Sequence, residues 1–227
     1  MPTIKLYANI LSQPSRTVLF ALKKSGVEHE YENVEIPKGT RSEEFKKNVN
    51  PKGLVPVLDV DGEKITESGV IARYVLDSFY KGEDLLPKED RLARARVEEI
   101  IDFSGTTIRP GLIKPQIALV FGPMFLGKDK PGEEESKALL AEIDGIFKTL
   151  DSQLEGKTYF YGDKLTIGDV QVYNEILNVS TFLKLDLADF SNLKTWKETV
   201  EGDSTIGEIN KKFFETLAAL HASKESS

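Results

Sequence analysis

The sequence has 227 residues, of which 40% are hydrophobic and 30% charged, enough to bury a sizeable core in one large or two small domains. Its formal net charge of −7 argues against nucleic acid or an anionic membrane as the main partner. Because it has no cysteine, it offers no disulfide, thiolate metal ligand or thiol nucleophile. Since no apolar run reaches membrane-spanning length, we expect a protein that does not enter the membrane, and the lack of cysteine fits a cytoplasmic location.

Strand and helix signals alternate over the first 80 residues. Strands are predicted over 3–7, 29–36, 57–60 and 63–66. Ser12 can cap a helix whose first turn tolerates Pro14 and which ends at Ser25-Gly26. Ser42 begins a short charged helix, and 68–79 is a third. The order β-α-β-α-β-β-α predicts a compact α/β domain over residues 1–80, with a mixed four-stranded sheet.

Residues 81–90 are interpreted as a linker, and 91–227 are predicted to be helical. A long run over 93–109 is interrupted by Pro110-Gly111 and continues over 112–121, so a kink or break is expected there. A polar loop rich in glycine and proline follows over 122–134. Thr166 to Asp169 resembles a capping box at a helix start, and residues 224–227 are expected to fray.

Residues 53–69 combine two features that suit a peptide-like ligand. The segment entering the strand 57–60 offers an extended backbone edge, which can pair with another extended chain. Ser68 is a candidate helix cap, and a helix start presents free N–H groups to a carboxylate. The same pattern also fits a plain hairpin that runs into a helix.

The sequence resembles the glutathione transferases, most closely the theta-like branch and its delta relatives. The likeness rests on Leu11-Ser12-Gln13-Pro14-Ser15-Arg16, Asn50-Pro51 before Val55-Pro56, Glu67-Ser68 and Thr166-x-x-Asp169. It covers nearly the whole chain. It implies a thioredoxin-like N-terminal domain, an all-helical C-terminal domain, glutathione as co-substrate, no metal, and a homodimer.

The resemblance also implies roles for residues of the N-terminal domain. Ser12 matches the catalytic serine, whose hydroxyl would hydrogen-bond the glutathione sulfur and favour the thiolate. Pro56 matches the family's cis-proline, which would direct the backbone of Val55 at the cysteinyl part. Glu67 would face the γ-glutamyl ammonium group, and Ser68 its carboxylate.

The contact to the glycyl carboxylate stays open between Arg41 and Lys52, because Gly53 stands where many relatives have a basic residue. Ser15 and Tyr7 are alternatives to Ser12 as thiol activator. If either of them activates the thiol, Ser12 is only a helix cap.

The helical domain is expected to contribute the electrophile site. The candidates are Asn9, Ile10, Ile108, Arg109, Ile113, Gln116, Ile117 and Phe121. The apolar members fit core packing equally well, whereas Arg109 could stabilise a departing anion. The helices at 68–79 and 91–109 carry apolar side chains that suggest a dimer interface, namely Ile71, Tyr74, Val75, Val97, Ile100 and Ile101.

The function implied by the resemblance is conjugation of the glutathione thiolate to small hydrophobic electrophiles, with a peroxidase side activity on organic hydroperoxides. The alternative is a transferase-like module that binds glutathione or apolar ligands without turnover, or serves in assembly. A thiol reductase is disfavoured, because Ser12 stands where those enzymes have cysteine.

Overall fold

The computed structural model describes residues 2–225, which divide into two compact units. One comprises the residues up to Lys88 and those from Glu201 onward, and the other comprises Glu89–Val200. The first unit begins with β1 (Ile4–Ala8), α1 (Gln13–Ser25), β2 (Glu30–Asn33), α2 (Glu43–Asn48), β3 (Val57–Val60), β4 (Glu63–Ile65) and α3 (Ser68–Phe79). This order is the predicted one, and the strand 57–60 and the helix 68–79 have the predicted bounds.

The four strands form one mixed sheet in the order β2-β1-β3-β4. Strand β1 pairs in parallel with β2 and antiparallel with β3, which in turn pairs antiparallel with β4. The predicted mixed four-stranded sheet is therefore confirmed. Strand β2 is shorter than the predicted 29–36.

Each face of the sheet has its own apolar core. Helices α1 and α3 pack together, and Val18, Leu22, Ile71 and Val75 are fully buried on them. The smaller cluster consists of Val34, Phe45 and Val57, with Tyr7, Val49 and Val55 packed against it. Four of the residues predicted to form a dimer interface belong to the core instead. Ile71, Val75, Val97 and Ile101 are buried within the chain itself. The expectation that these four form a free apolar surface was wrong.

The second unit is helical. It contains α4 (Arg91–Phe103), α5 (Arg109–Gln116), α6 (Gly122–Phe125), α7 (Glu133–Gln153), α8 (Ile167–Leu183) and α9 (Ser191–Glu201). Two π-helical segments, Ser104–Ile108 and Ile117–Phe121, flank α5. Pro110 and Pro115 both lie in α5 and cannot donate backbone hydrogen bonds, so the chain departs from regular α-helix near the predicted break. The predicted loop over 122–134 was wrong at both ends, because its first four residues form α6 and its last two begin α7.

Helix α8 begins at a capping box that is also the polar centre of the helical unit. Thr166 accepts from the Asp169 backbone, and the Asp169 carboxylate accepts from the Thr166 backbone and hydroxyl. The same carboxylate accepts from the Phe160 amide at 2.9 Å and from the Trp196 indole at 3.0 Å. Burial raises the pKa of the Asp169 carboxyl, and these donors oppose that effect. The predicted capping box is confirmed.

The last helix, α10 (Ser204–Glu225), packs on α1 in the first unit. Lys24 donates to Asp203 at 2.6 Å, and Lys23 to Glu208 at 2.9 Å. By packing, α10 belongs with the sheet, although the sequence analysis placed it in the domain 91–227. The division into 1–80, 81–90 and 91–227 stays a prediction. Helix α10 extends into the stretch expected to fray, of which Ser226 and Ser227 lie outside the described residues.

Within residues 2–225, no helix combines the length and the apolar character needed to cross a membrane.

Asp169→Asn is expected to lower the free energy of unfolding by about 3 kcal/mol, because an amide nitrogen would face donors in a buried site. Chemical denaturation followed by tryptophan fluorescence measures this loss. Asp163→Asn is the control, since it removes the same charge from an exposed loop position and should cost less than about 0.5 kcal/mol. Equal losses in the two variants would show that the network does not stabilise the helical unit.

Candidate active site

Ser12 lies in a tight turn that connects β1 to α1. Its backbone N–H donates to the Asn9 carbonyl at 3.0 Å, and its hydroxyl accepts from the Ser15 N–H at 3.4 Å. Ser12 is the N-cap of α1 in extended conformation, and its side chain is largely buried. Among the described residues this is the only hydrogen bond of the hydroxyl, so its proton remains available to an acceptor at the helix start.

The two alternatives to Ser12 are placed less favourably. The Ser15 side chain is 2% exposed, and its oxygen accepts from the Asn9 N–H at 3.5 Å, which is a long contact. Tyr7 packs edge-on against Phe45, and the Lys5 ammonium lies 4.9 Å from the centre of its ring. Of the three hydroxyl groups, that of Ser12 is therefore the best placed to donate to a ligand at the start of α1.

The second part of the site is the loop that leads into β3. Val55 and Pro56 are joined by a cis peptide bond, as predicted. The loop is braced by Asn50, whose side-chain nitrogen donates to the Leu54 carbonyl at 2.8 Å. Gly53 has a positive φ of 66°, and a Cβ there would lie 2.9 Å from the Thr40 carbonyl oxygen. A basic residue therefore cannot be accommodated at Gly53 without moving this loop.

The start of α3 forms the third part. Glu67 occupies the N-cap position with a φ of 69°, and no side chain caps the helix. Ser68 is the first residue within the helix and is buried. The prediction that Ser68 is the cap was wrong by one residue. The Glu67 side chain makes no capping hydrogen bond to the first turn of α3, and a helix start of this kind suits a carboxylate.

The two candidate basic residues differ in their partners. The Lys52 ammonium donates to the Glu67 carboxylate at 3.0 Å, and both side chains are more than half exposed. Arg41 is exposed, and among the described residues its guanidinium has no ion pair or hydrogen bond. Because Lys52 is already engaged, the geometry favours Arg41 as the residue that would contact a further anionic group.

In the helical unit, Arg109 is held by an ion pair rather than left open. Its Nε donates to Oε1 of Glu175 at 2.7 Å, and the Glu175 side chain is 1% exposed. The Arg109 side chain keeps 23% of its surface exposed. A buried carboxylate thus fixes the guanidinium while part of it remains accessible.

The other predicted electrophile residues differ in burial, and Asn9, Ile113 and Phe121 are half-buried. Ile10, Ile108 and Gln116 are buried, as expected of packing residues. Ile117 is 39% exposed, and the Phe121 ring lies 4.9 Å from that of Phe182. The π-helical segment that carries Ile117 and Phe121 has no buried residue, so it offers an accessible apolar surface.

Four residues of these arrangements were not assigned their observed roles from sequence: Asn9, Asn50, Lys52 and Glu175. Asn50 stands before Pro51, and asparagine near proline or in a short connection is typical of turns capped by its side chain. That signal could have identified both asparagines as turn residues. Within residues 2–225, no three or more metal-ligating side chains lie together.

The fold and these three parts define a thioredoxin-like domain with a serine at the start of its first helix, followed by a helical domain. Family models agree: "Glutathione S-transferase, N-terminal domain" matches residues 2–77, and "Glutathione S-transferase, C-terminal domain" matches residues 112–203. The chain belongs to the glutathione S-transferase family, as the sequence resemblance indicated.

Individual relatives agree with the theta-like assignment. The chain is 30% identical to glutathione S-transferase theta-1 of Homo sapiens over 206 residues, which cover 90% of this chain and 84% of the relative. The structure of human glutathione-S-transferase T1-1 in its apo form superposes with a TM-score of 0.84 at 29% identity, covering 92% and 89% of the two chains. A glutathione transferase homolog from Drosophila mojavensis with bound glutathione gives 0.82 at 25% identity, over 98% of both chains.

Proposed function

We propose that the protein joins the sulfur of glutathione to small hydrophobic electrophiles. The observation that carries this proposal is the Ser12 hydroxyl, which accepts from the α1 backbone and keeps its proton to donate. Membership in the glutathione S-transferase family and the relative with bound glutathione support the choice of thiol. The glutathione thiol loses its proton to solvent, and the thiolate then attacks the electrophilic carbon. A carbon–sulfur bond forms as the leaving group departs with its bonding electrons.

The energy required for thiol activation is within reach of this site. A free thiol has a pKa near 8.5, and lowering it by about two units needs roughly 2.7 kcal/mol. A hydroxyl that donates to a sulfur anion supplies roughly 1.5–3 kcal/mol, and a helix N-terminus adds up to about 1. The Ser12 hydroxyl and the start of α1 are together sufficient, without a metal or a histidine.

Glutathione itself is proposed to lie along the three parts of the site. Its γ-glutamyl carboxylate would meet Ser68 and the start of α3, and its ammonium group would meet Glu67. The cysteinyl backbone would pair with Val55 beside Pro56. Arg41 would contact the glycyl carboxylate.

The electrophile is proposed to contact the apolar surface formed by Ile113, Ile117 and Phe121. Arg109 is proposed to stabilise negative charge on the leaving group, because Glu175 holds its guanidinium while leaving part of it exposed. Cytoplasmic location is proposed with this function. A module that binds glutathione without turnover is the alternative, and turnover of an aryl halide by the wild-type protein would exclude it.

Ser12→Ala is expected to raise the pKa of bound glutathione and to lower turnover by roughly 10- to 100-fold, with a much smaller change in glutathione affinity. The ultraviolet absorbance of the bound thiolate, measured against pH, reports the pKa directly. Coincident curves for wild type and variant would leave Ser12 with a capping role only.

The matched control is Ser42→Ala. Ser42 caps α2 in the same way, since its hydroxyl accepts from the Phe45 N–H at 3.2 Å. Both variants should lose about 1 kcal/mol of stability, as expected for an N-cap. Only the Ser12 variant should alter the thiolate curve.

Arg41→Met is expected to weaken glutathione binding about 10-fold, because a charge-assisted hydrogen bond to the glycyl carboxylate would be lost. Lys52→Met removes the same charge but should change the Kd less than about threefold, since Lys52 is paired with Glu67 at the surface. Calorimetric titration of both variants gives the comparison. A larger effect at Lys52 would reverse the assignment.

A homodimer is proposed in which α3 of one subunit meets α4 of its partner. Val70 on α3 is 46% exposed and Leu92 on α4 is 69% exposed, so both leave apolar surface for an interface. Light scattering should give twice the 25.3 kDa chain mass, and the double variant Val70→Lys, Leu92→Lys should give one chain mass. Phe214→Lys, at a 47% exposed position on α10, should stay dimeric. A wild-type protein of single-chain mass at micromolar concentration would contradict the proposal.

A further inference from the structure

The turn from Asn9 to Ser12 is organised by the Asn9 side chain. Its oxygen accepts from the Leu11 N–H at 2.9 Å, which closes the turn from within. Its nitrogen donates to the Val34 carbonyl at 2.9 Å, which fastens the turn to the residue that follows β2. Both polar atoms of this side chain are therefore used by the protein itself.

The Asn9 backbone acts on Ser12 directly. The Asn9 carbonyl accepts from the Ser12 N–H at 3.0 Å, so any shift of Asn9 moves the backbone that carries the Ser12 hydroxyl. Val34 is a firm anchor, because it is buried and its own N–H donates to the Ala8 carbonyl at 2.8 Å. The turn is thus tied to both β1, which it follows directly, and β2, which runs parallel to β1.

We propose that Asn9 is a positioning residue for thiol activation: it holds the turn in the geometry that aims the Ser12 hydroxyl at the glutathione sulfur. This inference rests on the proposed function. It differs from a contact with the electrophile, because the oxygen and the nitrogen of the side chain each already bond to the protein backbone. A hydroxyl that stabilises an anion must lie within a few tenths of an ångström of its working position, so the turn determines its effect.

The two roles differ in the quantity that a substitution changes. If Asn9 positions Ser12, its loss raises the pKa of bound glutathione before any electrophile is added. If Asn9 contacts the electrophile, the thiol pKa is unchanged and the KM for the electrophile rises. The pH dependence of turnover gives a second distinction. A positioning defect lowers turnover at low pH, where the thiol ionises only with the help of Ser12, and has little effect at high pH, where the thiol is ionised without it.

The experiment compares the thiolate absorbance of bound glutathione in wild type, Asn9→Ala and Asn9→Ser. Asn9→Ala should raise the thiol pKa by about one unit, which lowers turnover at about pH 6.5 roughly fivefold and at about pH 9 less than twofold. Asn9→Ser keeps a short acceptor for the Leu11 N–H but loses the link to Val34, so its thiol pKa should lie between the other two. Thermal melts establish that each variant is folded.

Asn50→Ala provides the matched control. Asn50 makes the same two kinds of hydrogen bond, accepting from the Lys52 N–H at 3.0 Å and donating to the Leu54 carbonyl at 2.8 Å. It braces the other loop, so its loss should weaken glutathione binding and leave the thiol pKa at the wild-type value. Equal rises in thiol pKa for Asn9→Ala and Asn50→Ala would mean general loosening and would overturn the proposal.

A double variant isolates the route of the effect. In the Ser12→Ala background, Asn9→Ala should produce less than about a twofold further change in turnover, because a residue that acts through Ser12 has nothing left to position. If Asn9→Ala lowered turnover in this background as much as it does in the wild type, the proposal would be overturned.

The wild-type measurement separates this inference from the function on which it rests. A wild-type protein that neither ionises bound glutathione nor turns over an aryl halide refutes the proposed function, and the role of Asn9 with it. Active wild type together with an unchanged thiol pKa in Asn9→Ala refutes the role of Asn9 alone.

Discussion

The hydrogen bond from the Ser12 amide to the Asn9 carbonyl fixes the one hydroxyl on which the proposed chemistry depends. A single such bond contributes only about 1 kcal/mol, so its geometry needs support from its surroundings. Arg16 supplies part of that support, since its Nη1 donates to the Ile10 carbonyl at 2.9 Å from a fully buried position. The Phe213 ring of α10 lies 4.3 Å from the Arg16 guanidinium carbon and covers it. The start of α1 is therefore held from the sheet and from the last helix together.

The helical unit contains an ion pair whose carboxylate is buried in an apolar interior. Glu175 is buried on α8, a helix whose first thirteen residues are all buried. Removing a carboxylate from water is costly, and the Arg109 guanidinium at 2.7 Å offsets that cost. A pair of this kind adds little net stability, but losing either partner leaves a buried or half-buried charge. Arg109 is thus fixed in place by the penalty for separating it from Glu175.

Local signals account for most of what the sequence could predict. Ser12 before Pro14, the Asp61-Gly62 turn and the Thr166–Asp169 box each act over a few residues, so the elements that they delimit were found. The Lys52–Glu67 ion pair and the Asn9–Val34 bond join residues 15 and 25 positions apart. Such contacts depend on how the elements pack, which no local pattern records. The π-helical segments were missed because two prolines predict a disturbance but not its form.

The packing of α10 on α1 also affects when the first unit can complete its folding during synthesis. Lys24 and Asp203 are 179 positions apart, yet they form one of the contacts that hold the first helix. Strand β1, α1 and their turn are therefore synthesised well before Asp203 and Phe213. Domains usually complete their folding as each is made. Here the first unit gains its Phe213 contact on Arg16 only after residues 89–200 have been made, so α1 lacks this cover while the helical unit is being synthesised.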